Sequence, residues 1–181
     1  MEDSLKRLGI KIISEENTKR IEGQGGRFAP GVVNLHLGLS AASTRLLLAL
    51  SLLRQDQTIL DGNPSLRARP NQYLVDALTT LGATIQSTND GYLPISVMGP
   101  KQPASSVSMR GDQSSQYFSA LLIIAPLLPN GLHIEVEGEL VSKPYIDITI
   151  NEMKKFGVEV ENHQYQAFDI APQSYRPTRL T

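Results

Sequence analysis

Cysteine is absent from this chain. That one absence removes disulfides, cysteine-ligated zinc and thiol nucleophiles, and it fits a reducing compartment. Charge of one sign is lacking too. Seventeen Lys and Arg stand against 18 Asp and Glu, a formal net charge of −1. No bulk attraction therefore favours nucleic acid or an anionic membrane, and neither is expected as a partner. Any anion site must be local. Long apolar runs are missing: residues 46–53 and 120–128 are too short to span a bilayer. The opening MEDSLKRLGIKI is amphipathic and charged, without the apolar core of a signal peptide. A cytoplasmic location is the expectation.

Catalytic signatures are equally scarce. His36, His133 and His163 stand in strand-like or turn contexts with no metal-ligand partner at useful spacing. They read as structural or surface residues, and no metal is expected. The run GQGG at 23–26 lacks the lysine and following helix of a phosphate loop. Asp147 and Glu152 share one helix with nothing to pair them for acid–base work. No Ser–His–Asp order stands out, so no catalytic residue is assigned.

What is present is repetition. SLKRLGIKI at 4–12, DALTTLGATI at 76–85 and INEMKKFGVEV at 150–160 each read as an amphipathic helix, a glycine stop and a β-branched strand. The glycines, Gly9, Gly82 and Gly157, fall 73 and 75 residues apart. The other half of the frame recurs as well. STRLLLALSLL, TILDG and RARP parallel SSQYFSALLIIAPLL, IEVEG and VSKP. Each full unit reads strand, helix, strand, helix, then one or two strands, with Asp90–Gly91 as a turn signal. Pro70 and Pro144 suit the first turn of their helices, and residues 57–60 and 133–136 look like short strands. The fold class expected is α/β (α+β), with repeated βαβαββ units packed around buried helices and an incomplete first unit. The 181 residues divide as one domain: a partial first unit at 1–37, a second at 38–103, a third at 104–175 and a tail at 176–181.

Polar residues recur at the helix starts of this frame. Ser43 and Thr44 precede RLLLALSLL, and Arg69 precedes PNQYLVDALTTLG. Ser114 and Ser115 precede QYFSALLIIAPLL, and Ser142 precedes KPYIDITINEMKKFG. Each serine taken alone reads as an N-cap worth about 1 kcal/mol. If the units are related by rotation, their helix N-termini can converge and hold phosphate or carboxylate groups. Arg45 and Arg69 would then act as bidentate donors. An arginine beside a helix start does not relieve the macrodipole, which favours negative charge there. Gln116 both donates and accepts, and Tyr145 offers a hydroxyl or a ring face. The residues support anion binding and name no reaction.

At these same motifs the chain resembles the 5-enolpyruvylshikimate-3-phosphate synthase (3-phosphoshikimate 1-carboxyvinyltransferase) family. SSQYFSALL, GELVSKPYIDIT, MKKFGVEVEN, and LDG followed by RP and LVDAL are similar to its signatures in order and spacing. The resemblance implies an enolpyruvyl transferase fold of two globular domains, each of three βαβαββ units. It implies contacts from Ser114, Ser115, Gln116, Ser142 and Tyr145 to shikimate 3-phosphate. Arg69 and Gln116 would contact phosphoenolpyruvate, with Ala41 lining its pocket and Arg45 in support. The implied reaction transfers the enolpyruvyl group to the ring's 5-hydroxyl by addition and then loss of phosphate, in aromatic amino acid biosynthesis, with no metal or organic cofactor.

Two departures matter. Where the family carries GN(A/S)GT, this chain has GLSAAS at 38–43. Leu39 replaces an asparagine, and the Ala41 methyl should crowd phosphoenolpyruvate. The family's opening lysine–serine and arginine segment, and its whole other domain with the acid–base groups, are expected to lie outside this chain. It should then not catalyse alone. The competing expectations are a non-catalytic, self-associating fragment, or a missing C-terminal domain supplied by a separate chain.

Overall fold

In a computed structural model, which describes residues 1–180, the chain begins with half a unit. Helix α1 (Glu2–Arg7) leads into a hairpin of β1 (Lys11–Glu15) and β2 (Thr18–Glu22). A full unit follows: β3 (Val33–His36), α2 (Ala41–Leu50), β4 (Thr58–Asp61), the short α3 (Pro64–Arg67), α4 (Gln72–Thr80), β5 (Thr84–Thr88) and β6 (Tyr92–Met98). The second full unit is β7 (Ser106–Arg110), α5 (Ser115–Ile124), β8 (Leu132–Glu137), α6 (Lys143–Lys155), β9 (Glu161–Asn162) and β10 (Ala167–Ile170). Short 3-10 turns, Ser51–Leu53 and Ala125–Leu127, close α2 and α5.

The two four-stranded sheets have one topology. Their orders are β3-β4-β6-β5 and β7-β8-β10-β9. In each, the first pair is parallel and the remaining pairs are antiparallel. The 74-residue frame is thus a structural repeat. β3 supplies the first strand of its sheet, pairing Val33 with Thr58.

The repeat is clearest at the glycine stops. The amides of Gly9, Gly82 and Gly157 donate to Lys6, Thr79 and Lys154 at 3.0, 2.9 and 2.9 Å. The next amides, of Ile10, Ala83 and Val158, donate to Leu5, Leu78 and Met153 at 3.0, 2.9 and 3.1 Å. All three glycines have positive φ. This paired bonding satisfies the last helical carbonyls, and the following apolar residue closes over the helix end.

The core is continuous across both units, and α5 lies at its centre. Tyr117, Phe118, Ala120, Leu121, Leu122 and Ile124 are all buried, because α5 packs against α2 on one side and α6 on the other. A helix apolar nearly all round is stable only when so enclosed. Phe118 is fully buried and meets the Phe168 ring of β10 at 6.5 Å. The sheets alternate cleanly, with Leu132, Ile134 and Val136 inward and His133 and Glu135 outward on β8. Arg54 is almost wholly buried and ties the loop before β3 to its sheet, donating to Ala29 O at 2.9 Å and Gly31 O at 2.7 Å. Burial pulls its pKa down.

Three local expectations need correction. Helix α2 begins at Ala41, and its cap is Ser40, whose hydroxyl accepts from the Ser43 amide at 3.2 Å. Ser43 and Thr44 are buried inside the first turn, where Thr44 donates back to Ser40 O at 2.9 Å. Ser142 does not cap α6 either: its backbone is left-handed, at φ 57° and ψ 39°. Pro70 stands before the Asn71 N-cap of α4 rather than in its first turn, whereas Pro144 does lie in the first turn of α6.

Candidate functional site

The loops after β3, β7 and β8 and the segment before α4 carry the polar residues singled out in the sequence. Their linkage begins at Gly111. Its amide donates to Glu137 O at 2.9 Å, and its carbonyl accepts from the Val141 amide at 3.0 Å. GDQSSQ and GELVSK, far apart in sequence order, therefore run side by side as they enter α5 and α6. A side chain at Gly111 would meet Glu139 O at 2.8 Å, so only glycine permits this approach.

Arg45 joins α2 to α5. It leaves α2 one turn in, and Nη1 donates to Gln116 Oε1 at 2.6 Å and to Ser114 Oγ at 3.3 Å. Its guanidinium lies over the Tyr117 ring, 4.7 Å from the centroid. Its Nε is buried with no partner. The Tyr117 hydroxyl in turn donates to Pro70 O at 3.2 Å. The segment holding Arg69 is thereby fastened to α5. A continuous path runs from Pro70 through Tyr117 and Arg45 to Gln116 and Ser114, then along the strand-to-helix turn to Val141 and Ser142.

Within this path the candidate residues differ in availability. Ser114 caps α5 by accepting from the Gln116 amide at 3.3 Å. Ser115 is buried in the first turn, whereas Gln116 is exposed. Ala41 is the partly buried first residue of α2. Ser142 is exposed, and Tyr145 is 64% exposed. Arg69 is exposed, and among the described residues no side chain pairs with its guanidinium; the bidentate ion pair of this region joins Asp61 to Arg67 at 2.8 and 2.6 Å. Arg67 holds the Asp61 carboxyl below the usual range.

Other cations flank the face. Arg110 is held by Asp112 at 2.6 Å and lies 5.9 Å from the Tyr73 ring centre, and Lys143 meets Glu139 at 3.4 Å. Arg110 lowers the pKa of Asp112, which raises that of Arg110. The face is an open surface on which the starts of α5 and α6 lie near Arg45, Arg110 and Lys143, with Arg69 on the segment that Tyr117 fastens to α5. Chemically it suits an anion with additional hydroxyl groups. Tyr117, which links α5 to the Arg69 segment, was not singled out in the sequence; the only signal was one phenol within an otherwise apolar helix.

The family profile described as EPSP synthase (3-phosphoshikimate 1-carboxyvinyltransferase) matches residues 1–180. The chain belongs to the EPSP synthase family. A 3-phosphoshikimate 1-carboxyvinyltransferase of Marinomonas sp. is 42% identical over 176 residues, covering 96% of this chain and 41% of the relative. The Haemophilus influenzae KW20 enzyme of the same name is 42% identical over 183 aligned positions, covering 97% of this chain and 42% of its own length. This chain therefore spans about two fifths of the curated relatives it matches. A solved EPSP synthase from Acinetobacter baumannii superposes with a TM-score of 0.82 at 21% identity, over 98% of this chain and 39% of that one. The enolpyruvyl transferase fold that the resemblance implied is therefore the fold found.

The histidines are not as isolated as their spacing suggested. His133 Nδ1 lies 2.8 Å from Asp169 Oδ1 and its Nε2 lies 3.2 Å from Glu135. His163 Nε2 lies 2.8 Å from Asp169 Oδ2 and 3.9 Å from Glu161. Pairing of β10 with both β8 and β9 makes these contacts, and no linear spacing reveals them. The bond to Asp169 raises the His133 pKa, and His133 lowers that of Asp169. Among the described residues, no helix is long and apolar enough to cross a membrane.

Proposed function

We propose that this chain is the N-terminal substrate-binding domain of a 3-phosphoshikimate 1-carboxyvinyltransferase and that it supplies one wall of the cleft for shikimate 3-phosphate. The observation that carries this reading is the path from Pro70 through Tyr117 and Arg45 to Gln116 and Ser114. It gathers the helix starts that belong to separate repeats. Ser114, Ser115, Gln116, Ser142 and Tyr145 hold the shikimate ring and its phosphate. Arg69 and Gln116 receive phosphoenolpyruvate beside Ala41, and Arg45 holds Gln116 in position. The Ala41 methyl weakens the phosphoenolpyruvate contact. The chain is one domain, with a partial unit ahead of β3, a full unit from β3 to about residue 103, a second at 104–175 and a tail at 176–181. The boundary expected after residue 37 moves to before Val33, because β3 pairs with β4.

The whole enzyme would add the ring's 5-hydroxyl to phosphoenolpyruvate and then expel phosphate, without metal or organic cofactor, in the cytoplasm. This half of the cleft holds ligand and does not turn over, because groups that move protons must stand around both substrates. Titrating shikimate 3-phosphate into 15N-labelled chain tests the reading. Amide shifts are expected at residues 114–116 and 142–145, and their absence at millimolar ligand refutes it.

A second reading, self-association, has one observation in its favour. The first sheet has two strands where the others have four, and it exposes Ile21 at 58% beside open edges. Sedimentation that finds a monomer across the concentration range would exclude it.

A further inference from the structure

The outer face of the β7-β8-β10-β9 sheet carries a cluster that the proposed substrate cleft does not use. One row of register partners crosses the whole sheet: Ser106 on β7, His133 on β8, Asp169 on β10 and Glu161 on β9. His163 stands just beyond β9, where its amide donates to Ala167 O at 3.0 Å. Ligand atoms of Glu161, His163 and Asp169 all lie within 4.8 Å of one another. His163 Nε2 is 2.8 Å from Asp169 Oδ2 and 3.9 Å from the Glu161 carboxylate.

The other full unit supplies an internal comparison. With TILDG aligned on IEVEG, His133 corresponds to Gln57, and neither Gln57 nor the outward Ile59, Ser96 and Gln86 beside it is titratable. The shared frame therefore does not require ionisable residues at this register. Only one copy has them, and there two imidazoles converge on both oxygens of a single carboxylate.

We propose that Glu161, His163 and Asp169 form a binding site for a first-row divalent transition metal, with Zn2+ the representative ion. One imidazole nitrogen and two carboxylates suit such an ion, whereas Mg2+ and Ca2+ take oxygen donors almost alone. Zinc bonds of about 2.0–2.2 Å place tetrahedral ligands roughly 3.3 Å apart. Partly exposed side chains reach that spacing by small rotations. Asp169 Oδ2 faces His163, while Oδ1 stays bonded to His133, whose far nitrogen is bonded to Glu135. That is the outer support a ligating carboxylate needs. Glu161 and His163 are exposed and Asp169 is partly so, which gives an ion access from solvent and lets water serve as the fourth ligand. Glu161 and Asp169 also border an open groove of about 570 Å3 beside α6, which His163 does not line. The bound ion would staple β9 to β10.

Isothermal titration of the full chain with ZnCl2 at pH 7.5, after EDTA treatment and dialysis, tests this. One saturable site is expected, with no response to MgCl2. His163→Asn and Asp169→Asn should each weaken binding at least tenfold, whereas His36→Asn on another sheet should leave it unchanged. Long-range 1H–15N spectra of the imidazoles read the same site independently of variant folding: the His163 Nε2 signal should shift with zinc. No binding at millimolar zinc, equal affinity in all variants, or a shift confined to His36 would overturn the proposal.

Discussion

Gly111→Ala probes the joint between the two segments that enter α5 and α6. The added methyl would lie 2.8 Å from Glu139 O, 2.8 Å from Val136 Cγ1 and 2.9 Å from the Glu139 carbonyl carbon. Two of those atoms are backbone and cannot rotate away. The 138–141 loop must move outward, which stretches the Gly111–Glu137 and Val141–Gly111 bonds on either side of the clash. Overpacking costs about 1–3 kcal/mol and one lost backbone bond about 1 kcal/mol, so roughly 2–4 kcal/mol is expected in total. Gly138→Ala is the matched control. Its position has φ +78° and nothing within 4 Å, so only left-handed strain of about 1–2 kcal/mol applies. Urea unfolding measures both, and amide shifts in Gly111→Ala should concentrate at 111–116 and 136–145. A Gly111→Ala protein within about 0.5 kcal/mol of the parent, or with shifts spread evenly, would refute the argument.

Phe118→Ala, at the fully buried centre of α5, should cost about 3–5 kcal/mol in urea unfolding. Arg45→Met keeps most of the stem over Tyr117 but removes the donors to Ser114 and Gln116. It should weaken shikimate 3-phosphate binding about tenfold in the NMR titration, given about 1.5–3 kcal/mol for a charged hydrogen bond; unchanged affinity would show that Gln116 needs no such support. A pH effect follows from His133 and Asp169. The raised His133 pKa contributes stability that is full below about 6.5 and lost as pH rises through the higher folded value. The lowered Asp169 pKa contributes above about 3.8 and is lost as pH falls through its folded value. Glu135, His163 and Glu161 face the same pair. In EDTA the urea midpoint of the parent should therefore fall between pH 6 and pH 8.5 by more than that of His133→Gln. Parallel curves would rule out the bond as the cause.

Periodicity exposed much of the fold before any coordinates. Gly9, Gly82 and Gly157 mark helix stops because no other residue takes that backbone so readily, and local chemistry alone enforces it. The alternation of β8 and the apolar length of α5 likewise declare burial in the sequence itself. Caps were harder to read. Ser40, Ser43 and Thr44 are near-equivalent in sequence, and only the path of the chain out of β3 decided that Ser40 caps while the other two are buried.

The candidate site divides along the same line. Ser114 and Gln116 could be singled out because polar residues recur at the helix starts of the repeat, and Arg69 because an arginine beside a helix start does not relieve the macrodipole. That Arg45 reaches Gln116, that Tyr117 grips Pro70, and that β10 brings Asp169 between His133 and His163 depended on strands and helices far apart in the chain. Sequence by itself determined the repeat, the helix stops and the residue types at each helix start, because these follow from local backbone preference and hydrophobic period. Tertiary structure alone decided which of those residues meet, because contacts between repeats are set by how the shared core packs α2, α5 and α6 together.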